Sequence, residues 1–416
     1  MNRIQLLSAL LFGAVALGAA SPAFAGDESC VACHEKETPG IVTQFRAGPE
    51  GHQDEGCEAC HGTGHTKGRE DAKQALIPTP ATCATCHEEQ VEQYGRGKHA
   101  MAWAAMEAMP MFAHQPFART PQDDLKACSG CHKVGQRSPD RQTQYHYGTG
   151  ACDSCHTRHT FSVKEAKDPR ACMTCHMGFD HPQWEMWSTS KHGAIWQIEG
   201  DTGRAPTCQT CHMQGGDHGV MTGWGFLAVR LPLPEDPQWK ADRVTILQGL
   251  GVLDAAGTPT ARLEAVKAAK VARLTAEEFD AQRAKMLDTC ATCHARSFAE
   301  THLELGDQTI RDADHLMAEA IREVKTLYDE GVLKKPEGWT MAPDLLQFYE
   351  AGTAIEQELW TMFLEYRMRA FQGAFHMNPD YLHWYGWATM KRALAEIREE
   401  ARNLRAAHTA PRGAAP

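Results

Sequence analysis

The chain has 416 residues, and its 53 acidic side chains exceed its 42 lysines and arginines to give a formal charge of −11. A strongly acidic chain without a basic patch is unsuited to binding nucleic acid. Its 16 cysteines therefore become the first feature to explain, because they belong either to disulfides or to cofactor sites.

The N-terminus predicts export. Arg3 gives a short basic start, residues 6–20 are apolar, and Ala23-Phe24-Ala25 forms a small-residue cleavage site. These are the three parts of a secretory signal peptide. We expect residues 1–25 to be removed and the mature protein to reach the periplasm. The alternative, an N-terminal membrane anchor, needs about 20 apolar residues, which is more than this run supplies.

Every cysteine belongs to a Cys-x-x-Cys-His motif. The motifs contain Cys30 and Cys33, Cys57 and Cys60, Cys83 and Cys86, Cys128 and Cys131, Cys152 and Cys155, Cys172 and Cys175, Cys208 and Cys211, and Cys290 and Cys293. This spacing is typical of c-type haem attachment, in which both thiols bond the haem and the histidine binds its iron. A zinc site does not require the histidine, and no cysteine is left for a disulfide. The sequence predicts eight c-type haems.

The histidines are the candidate iron ligands. The proximal ligands are those of the motifs: His34, His61, His87, His132, His156, His176, His212 and His294. Of 22 histidines, these eight leave 14 outside the motifs, an excess that bis-histidine ligation explains. We expect the distal ligands among His52, His65, His99, His159, His192, His218 and His302, with His315 as a further candidate. For each of these singly, a surface or core histidine is the alternative.

Residues 26–240 carry seven of the eight motifs and few apolar runs. Such a stretch cannot build an ordinary side-chain core. We therefore expect one haem-packed domain in which short helices and loops surround stacked cofactors. The predicted fold is mainly α: a multihaem cytochrome c with a haem-packed core and a C-terminal bundle of long helices.

The C-terminal bundle is expected over residues 241–407. Thr275 and Glu278 form a capping-box pattern that opens a helix leading to the eighth motif. After that motif, the pattern predicts long helices near 311–330, 343–373 and 379–407, with Pro343-Asp344 and Asn378-Pro379 as start signals and Gly373 as a stop signal. Residues 408–416 are expected to form a disordered tail.

Three runs carry a family resemblance: CDSCHTRHTFS, CHMGFDHPQWEMWSTSKHG and HMNPDYLHWYGW. They resemble the octahaem hydroxylamine oxidoreductase (HAO) family over nearly the whole mature chain, most specifically from Cys128 to His218. The resemblance implies that the fourth haem, on the Cys128 motif with His132, is catalytic and open on its distal side. It also implies that Asp180 and His181 stand over that haem, while the other seven haems carry electrons.

These residues suit proton-coupled redox chemistry. An open iron is a Lewis acid that can bind the nitrogen of hydroxylamine or nitrite. A histidine oriented by a carboxylate can exchange the protons that accompany the electrons. From the residues alone, His181 can equally ligate a neighbouring haem while Asp180 caps a helix.

The resemblance also implies a homotrimer. In oxidative members, a tyrosine of the neighbouring subunit is bonded to the catalytic haem, and Tyr381 and Tyr385 are the candidates, with Tyr366 a weaker third. Ordinary packing is the alternative for this aromatic-rich helix start. An apolar surface for association is expected from Trp360, Phe363, Phe371, Phe375, Trp384 and Trp387.

Three functions fit the sequence. The first is hydroxylamine oxidation, with a soluble or membrane-bound cytochrome as redox partner. The second is reduction of nitrite or hydroxylamine toward ammonia on the same scaffold, which the short length of the chain for the family favours. No Cys-x-x-Cys-Lys motif is present, which argues against the lysine-ligated nitrite and tetrathionate reductases. The third is an electron conduit in which all eight irons are six-coordinate.

Overall fold

The structure is a computed structural model, and it describes residues 27–52, 56–107, 129–136, 151–225, 227–268, 274–347 and 352–410. The predicted signal peptide and Cys128 lie outside these residues. Within the described ranges the only β pairing is an isolated bridge between Leu253 and Pro259, so the predicted mainly α class is confirmed. The packing divides the chain into two compact units, Met1–Leu76 and Ile77–Pro416.

The first unit is built from short helices. They are Asp27–Glu37, Pro39–Ala47, Glu50–His52, Cys57–His61, Gly68–Glu70 and Ala72–Gln74. Asp71 fixes the turn after the second motif, because its carboxylate accepts hydrogen bonds from the backbone nitrogens of Thr66 (2.8 Å) and Lys67 (2.7 Å). Among the described residues of this unit, Val42 is the one apolar side chain that is buried.

The second unit also begins with short helices. They are Pro80–Cys83, Glu88–Arg96, His99–Met101, Ala102–Glu107, Ser129–His132, Cys152–Ser154, Val163–Lys167, Arg170–Met173, Gln183–Ser188, Lys191–Glu199, Cys208–His212 and Gln214–Gly216. Local capping starts several of them: Ser190 Oγ accepts from the Gly193 nitrogen at 3.3 Å, and Thr207 Oγ1 accepts from the Thr210 nitrogen at 3.4 Å. Several of these helices contain motif cysteines, and they bury few apolar side chains of their own.

Longer helices follow, and we number five of them. They are α1 (Pro237–Gly249), α2 (Ala276–Ala291), α3 (Arg296–Asp329), α4 (Ala354–Thr361, Met362–Arg367 and Met368–Phe375) and α5 (Pro379–Tyr381, Leu382–Trp387 and Ala388–Thr409), with the shorter helix Ala261–Ala268 between α1 and α2. The middle segments of α4 and α5 are π-helical turns. Of the described helices, none is both long enough and apolar enough to cross a lipid bilayer.

Two predicted helix starts are confirmed by their caps. At α2, Thr275 Oγ1 accepts from the Glu278 nitrogen at 3.2 Å and Glu278 Oε2 accepts from the Thr275 nitrogen at 3.0 Å. At α5, Asn378 Oδ1 accepts from the Tyr381 nitrogen at 3.0 Å. Both caps satisfy backbone groups that the first helical turn leaves without partners.

Other predicted boundaries are wrong. α3 begins at Arg296, directly after the eighth motif, and not near residue 311. α4 begins at Ala354 and not at Pro343, because Asp344 pairs with Arg262 at 2.9 Å and accepts from the Leu346 nitrogen at 3.0 Å. The ends of the other two helices agree with the prediction to within two residues, because α4 ends at Phe375 and α5 at Thr409. The expected tail stays a prediction.

The core of the C-terminal part lies along α3. Its buried face includes Met317, Ile321 and Val324 and packs with α1, α4 and α5. Asp314, fully buried on the same helix, accepts hydrogen bonds from Arg367 of α4 (2.6 and 2.9 Å). Arg243 of α1 lies 3.4 Å from the other oxygen of Asp314. These buried ion pairs tie α1 and α4 to α3.

Helices on either side of residue 240 are in direct contact. Gln183 Nε2 donates to Gln372 Oε1 at 2.7 Å, and Asn378 Nδ2 donates to the Met186 carbonyl at 2.8 Å. The long helices therefore form one packed unit with the motifs that follow residue 77. The domain boundary expected near residue 240 stays a prediction.

Candidate haem-binding and catalytic site

Imidazole rings face one another at a nearly constant separation. The ring centroids are 6.0–6.2 Å apart in the pairs His34–His65, His99–His176, His132–His181, His156–His218 and His192–His294. Each pair joins a motif histidine to a histidine outside the motifs. A metal-bound imidazole nitrogen lies about 2 Å from its ion, so two imidazoles on opposite sides of one ion have centroids about 6 Å apart. The pairs therefore have the spacing of axial ligands to a single iron.

The cysteines beside these pairs also suit haem. Thiols of different motifs interact in the pairs Cys131–Cys175, Cys83–Cys152 and Cys172–Cys208, and the described cysteines form no disulfide. Within the described ranges, no three His, Cys, Asp or Glu side chains converge on one point as zinc would require. Opposed imidazoles flanked by paired thiols fit c-type haem and do not fit tetrahedral zinc.

Burial keeps the candidate ligands neutral. It lowers the pKa of His176 to about 3 and the pKa of His212 to about 4, helped by neighbouring histidines. It also lowers the pKa of His99 and of His132. A neutral imidazole has the free lone pair that binds iron, so these environments suit ligation.

Hydrogen bonds orient the proximal rings. His132 Nδ1 donates to the Ala102 carbonyl at 3.0 Å, and His61 Nδ1 donates to the Leu76 carbonyl at 2.9 Å. His176 Nδ1 lies 3.1 Å from Gln183 Oε1. Because each bond uses Nδ1, the opposite nitrogen, Nε2, is directed toward the place of the iron.

Two predicted distal ligands do not face a motif histidine in the described structure. His302 packs its ring against Phe298 at 4.2 Å, and the position facing His294 is taken by His192. His302 is close in sequence to the eighth motif, and this closeness favoured it as a ligand. In the folded chain, packing instead places His192, which is distant in sequence, opposite His294. His52 ends the short helix Glu50–His52, and His34 of the same unit faces His65 instead.

Two further candidates have other surroundings. His159 packs edge-on against Phe161. His315 donates from Nδ1 to Asp242 Oδ2 at 2.9 Å, and its Nε2 lies 3.7 Å from Glu319. These carboxylates make His315 an ion-paired residue between α1 and α3 and not an iron ligand.

His376 is a candidate ligand that motif spacing missed. It lies at the end of α4, close enough to His212 of the seventh motif to lower the pKa of that histidine. Its Nδ1 donates to the Gln372 carbonyl at 2.8 Å, which leaves Nε2 for a metal. The neighbouring Phe375 packs against Trp224 at 4.3 Å and fixes the end of the helix. The only sequence signal was an unassigned histidine at a helix end, far from any cysteine.

The predicted catalytic residues are brought together. The His181 ring lies 6.0 Å from both His132 and His176, and its Nδ1 is 3.0 Å from Asp180 Oδ1. Burial raises the pKa of Asp180, but the hydrogen bond and charge of His181 outweigh burial and lower it. Asp180 is therefore an anion that can hold the His181 ring in one orientation.

Helix α4 holds the loop that carries this pair. Arg369 Nη2 donates to the Phe179 carbonyl at 3.0 Å, and Arg369 is itself paired with Glu365 at 2.6 Å. The Phe179 ring stacks on Trp360 with centroids 5.8 Å apart. Residues of the π-helical turn and its flanks thus fix the backbone next to Asp180.

The candidate tyrosines differ in exposure. Tyr381 is 8% exposed and packs in the core of its own chain with Met186 and Phe371. Tyr385 stacks on Tyr381 and is 51% exposed. Tyr366 packs against the α3 core. A residue that must reach another subunit has to be accessible, so the burial of Tyr381 argues against that role and leaves Tyr385.

The predicted aromatic surface is smaller than expected. Phe363 and Phe371 are fully buried in their own chain, and Phe375 packs against Trp224. Trp384, next to Tyr385, is 62% exposed. Trp360 stacks on Phe179, and Trp387 packs against the cluster along α3. The exposed aromatic surface of α5 therefore centres on Trp384 and Tyr385.

A family model described as a seven-times multihaem cytochrome with CxxCH motifs matches residues 53–222 and 262–338. The matched residues contain seven of the eight motifs, and the motif that begins at Cys30 lies before them. More than half of the chain is thus matched.

A curated relative and two solved structures are similar to the chain. A probable nitrite reductase–hydroxylamine oxidoreductase fusion protein of Kuenenia stuttgartiensis is 24% identical over 470 aligned positions, covering 91% of this chain and 52% of the relative. The chain thus spans about half the length of that relative. A reducing HAO-like protein complex of Kuenenia stuttgartiensis has a TM-score of 0.71 and 26% identity, covering 92% of this chain and 86% of the other. A hypothetical multihaem protein has a TM-score of 0.65 and 20% identity, covering 92% and 96%, and shares the fold.

Proposed function

The chain belongs to the HAO-like multihaem c-type cytochromes, and from this premise we propose that it reduces hydroxylamine or nitrite toward ammonia at its fourth haem. The observation that carries the proposal is the meeting of His132, His181 and Asp180. The names of the relatives, a nitrite reductase–HAO fusion protein and a reducing HAO-like complex, support this direction.

The residues of the chain divide the work at this site. The haem, when bound, supplies a Lewis-acidic iron and a path for electrons. His132, whose Nδ1 donates to the Ala102 carbonyl, would hold the haem. His181 Nε2 holds a proton for the substrate, and Asp180 Oδ1 accepts from Nδ1 and stabilises the charged ring. Reduction of hydroxylamine to ammonia and water consumes one proton with each electron, so a proton donor is needed here.

The other histidine pairs support an electron relay of eight haems. The family model accounts for seven motifs. The eighth, which begins at Cys30, is supported by its histidine, because His34 faces His65 at 6.1 Å in the same way as the other pairs. Thiols of neighbouring motifs lie close together in the second unit, as closely packed haems require.

The location and the partners are part of the proposal. The signal-peptide pattern of residues 1–25 supports export to the periplasm. A soluble or membrane-bound cytochrome would exchange electrons with the haems. A homotrimer is supported by Trp384 and Tyr385, exposed side by side on α5.

Turnover with an artificial donor tests the function. Purified holoprotein supplied with a reduced viologen dye should consume hydroxylamine or nitrite and release ammonia. His181→Ala should lower this rate by about 10²–10⁴-fold, as the loss of a general acid does, at unchanged haem content. His315→Ala is the matched control, because His315 also bonds a carboxylate but lies between α1 and α3. Full activity of His181→Ala would refute the proposed role.

A second candidate is hydroxylamine oxidation. The exposure of Tyr385 favours it, because an accessible tyrosine can reach the haem of a neighbouring subunit. Mass spectrometry of haem peptides would then find a peptide containing Tyr385 bonded to haem, and Tyr385→Phe would lack it. If holoprotein neither oxidises nor reduces these compounds, the electron-conduit alternative remains.

A further inference from the structure

Residues 177–181 form an exposed loop that carries the proposed proton donor and its carboxylate. Met177 and Phe179 are each 49% exposed, and the side chain of Asp180 is 43% exposed. Gly178 has a φ of 90°, a backbone conformation that glycine adopts at low cost. Burial of apolar side chains therefore holds little of this loop, and contacts with other elements have to keep its backbone in one place.

One of these contacts comes from far along the chain. Arg369 Nη2 of α4 donates to the Phe179 carbonyl at 3.0 Å. The peptide unit is planar, so a fixed Phe179 carbonyl also fixes the nitrogen and the Cα of Asp180. The Asp180 side chain starts from that Cα, and its Oδ1 lies 3.0 Å from His181 Nδ1. A shift of the carbonyl would therefore move the carboxylate relative to the imidazole ring.

Arg369 is itself held in one conformation. Its Nη1 lies 2.6 Å from Glu365 Oε1, one turn earlier in α4, and the two side chains are only 15% and 12% exposed. The guanidinium group is planar and rigid, so one nitrogen that binds the carboxylate directs the other toward the carbonyl. A buried ion pair adds little stability compared with apolar side chains of the same size. Stability alone therefore does not account for this pair.

The part of α4 that carries Arg369 is fixed on two sides. Arg367 is fully buried and pairs with Asp314 of α3 at 2.6 Å. Ala370 packs closely on α5, because a Cβ added at Gly386 would lie 2.4 Å from the Cα of Ala370. A helix segment packed this closely cannot shift without disturbing its neighbours. Arg369 thus reaches the loop from a rigid support.

We propose that Arg369 is a positioning residue that, together with Glu365, holds the loop so that Asp180 keeps the His181 ring oriented for proton transfer. The inference rests on the proposed function for the proton and on the described contacts for the loop. Burial, which raises the pKa of Asp180, and His181, which lowers it, are the leading influences on that carboxyl. Arg369 therefore acts through the backbone and not through its charge.

Hydrogen exchange of the holoprotein tests the loop contact without any substrate. Arg369→Gln removes the bond to the carbonyl, so the peptide 178–181 should exchange about tenfold faster, which corresponds to one lost hydrogen bond. Arg369→Lys keeps the charge beside Glu365 but lacks the second nitrogen, so it should retain the native fold and show intermediate exchange. Arg398→Gln is the matched control, because Arg398 pairs with Glu319 at the surface. Native exchange of this peptide in Arg369→Gln would overturn the proposal.

Turnover by double variants shows whether Arg369 acts through His181. Arg369→Gln alone should lower kcat by about 10–100-fold at unchanged haem content, because misplacement of a reacting group by about 1 Å has an effect of this size. In the His181→Ala background the same substitution should have no further effect on kcat, since the group that it positions is gone. Arg398→Gln should leave kcat unchanged in both backgrounds. An equal loss in both backgrounds would show a merely structural role and overturn the proposal.

The two proposals can fail separately. Faster exchange of the peptide 178–181 in Arg369→Gln, in a protein that turns over neither nitrite nor hydroxylamine, would support the loop contact and refute the proposed function. Turnover that depends on His181 but is unchanged by Arg369→Gln would overturn the positioning role and leave the proposed function standing.

Discussion

Residues 151–225 and helices α3–α5 hold their shape by different means. Among the described residues of the first region, the buried apolar side chains are few, with Met186 and Trp187 on one short helix. In the second, a continuous cluster of buried side chains runs along α3, including Met317 and Ile321, and includes Phe363 of α4. The first region holds six motif cysteines and five of the facing histidines, and helices α3–α5 hold no cysteine and none of the facing histidines. Covalently bound haem can replace a side-chain core, so apolar content is a poor guide to stability where the motifs are dense.

The functional site lies where the two regions meet. Residues 151–225 provide His181 and Asp180, and His132 comes from the motif before them. Helix α4 provides Arg369 and Trp360, which hold the loop before Asp180. A dense helical region is well suited to this role, because close packing keeps positioning side chains in one conformation. Residues 151–225 and helices α3–α5 can therefore be perturbed separately.

Haem removal should have the largest effect, and it should destabilise residues 151–225 much more than helices α3–α5. In protein produced without haem attachment, the amides of residues 151–225 should exchange hydrogen as fast as in an unfolded chain. Amides at the centre of α3 should stay protected, because their core consists of side chains. Hydrogen-exchange mass spectrometry measures both regions in one sample, with holoprotein as the control. Equal loss of protection in both regions would mean that haem is also the core of the helical part.

Asp314→Ala should strongly destabilise the helical region. The substitution leaves Arg367 and Arg243 buried without their carboxylate, and such a loss costs about 3–5 kcal/mol. Chemical denaturation followed by circular dichroism would measure the change in the free energy of unfolding. Asp288→Ala is the control, because Asp288 pairs with Arg296 at the surface and should cost less than about 1 kcal/mol. Similar costs for the two variants would contradict the assigned role of the buried pairs.

Asn378→Ala should weaken the contact between the regions. Asn378 caps α5 through Oδ1, and its Nδ2 donates to the Met186 carbonyl (2.8 Å) and to Thr189 Oγ1 (2.7 Å). Loss of the cap and of two buried bonds should cost about 1–3 kcal/mol and speed hydrogen exchange in the helix Gln183–Ser188. Asn378→Ser keeps a neutral cap and loses both donated bonds, so it should lie between the native protein and Asn378→Ala. Unchanged exchange in that helix would mean that the contact does not support it.

The smallest expected effect depends on pH and concerns Glu358 of α4. Burial, together with the charge of Glu396, raises the pKa of Glu358 above its ordinary value of 4.5. A carboxyl whose folded pKa is raised favours the folded state when protonated, and this contribution is lost as the pH rises through the folded pKa. Glu358→Gln should therefore melt at a temperature on the order of 1 °C higher than the native protein at pH 8. Below pH 4.5 the two should be alike, and a difference independent of pH would show that ionisation is not the cause.

Local patterns in the sequence determined the cofactor class and several helix starts. A Cys-x-x-Cys-His motif holds its haem through residues that are neighbours in the chain, and the caps at Thr275 and Asn378 act within one helical turn. Such features need no knowledge of the rest of the molecule. The family resemblance added Asp180 and His181, which the structure places next to His132.

Contacts between distant parts of the chain were decided only by the tertiary structure. The two sides of a haem are joined through space, so the sequence could not decide that His192 and not His302 faces His294, or that His376 lies beside His212. The start of α4 and the burial of Tyr381 were likewise set by partners far along the chain, such as Arg262 for Asp344. The position of His181 between two motif histidines also depends on this packing, because α4 fixes the loop that carries it.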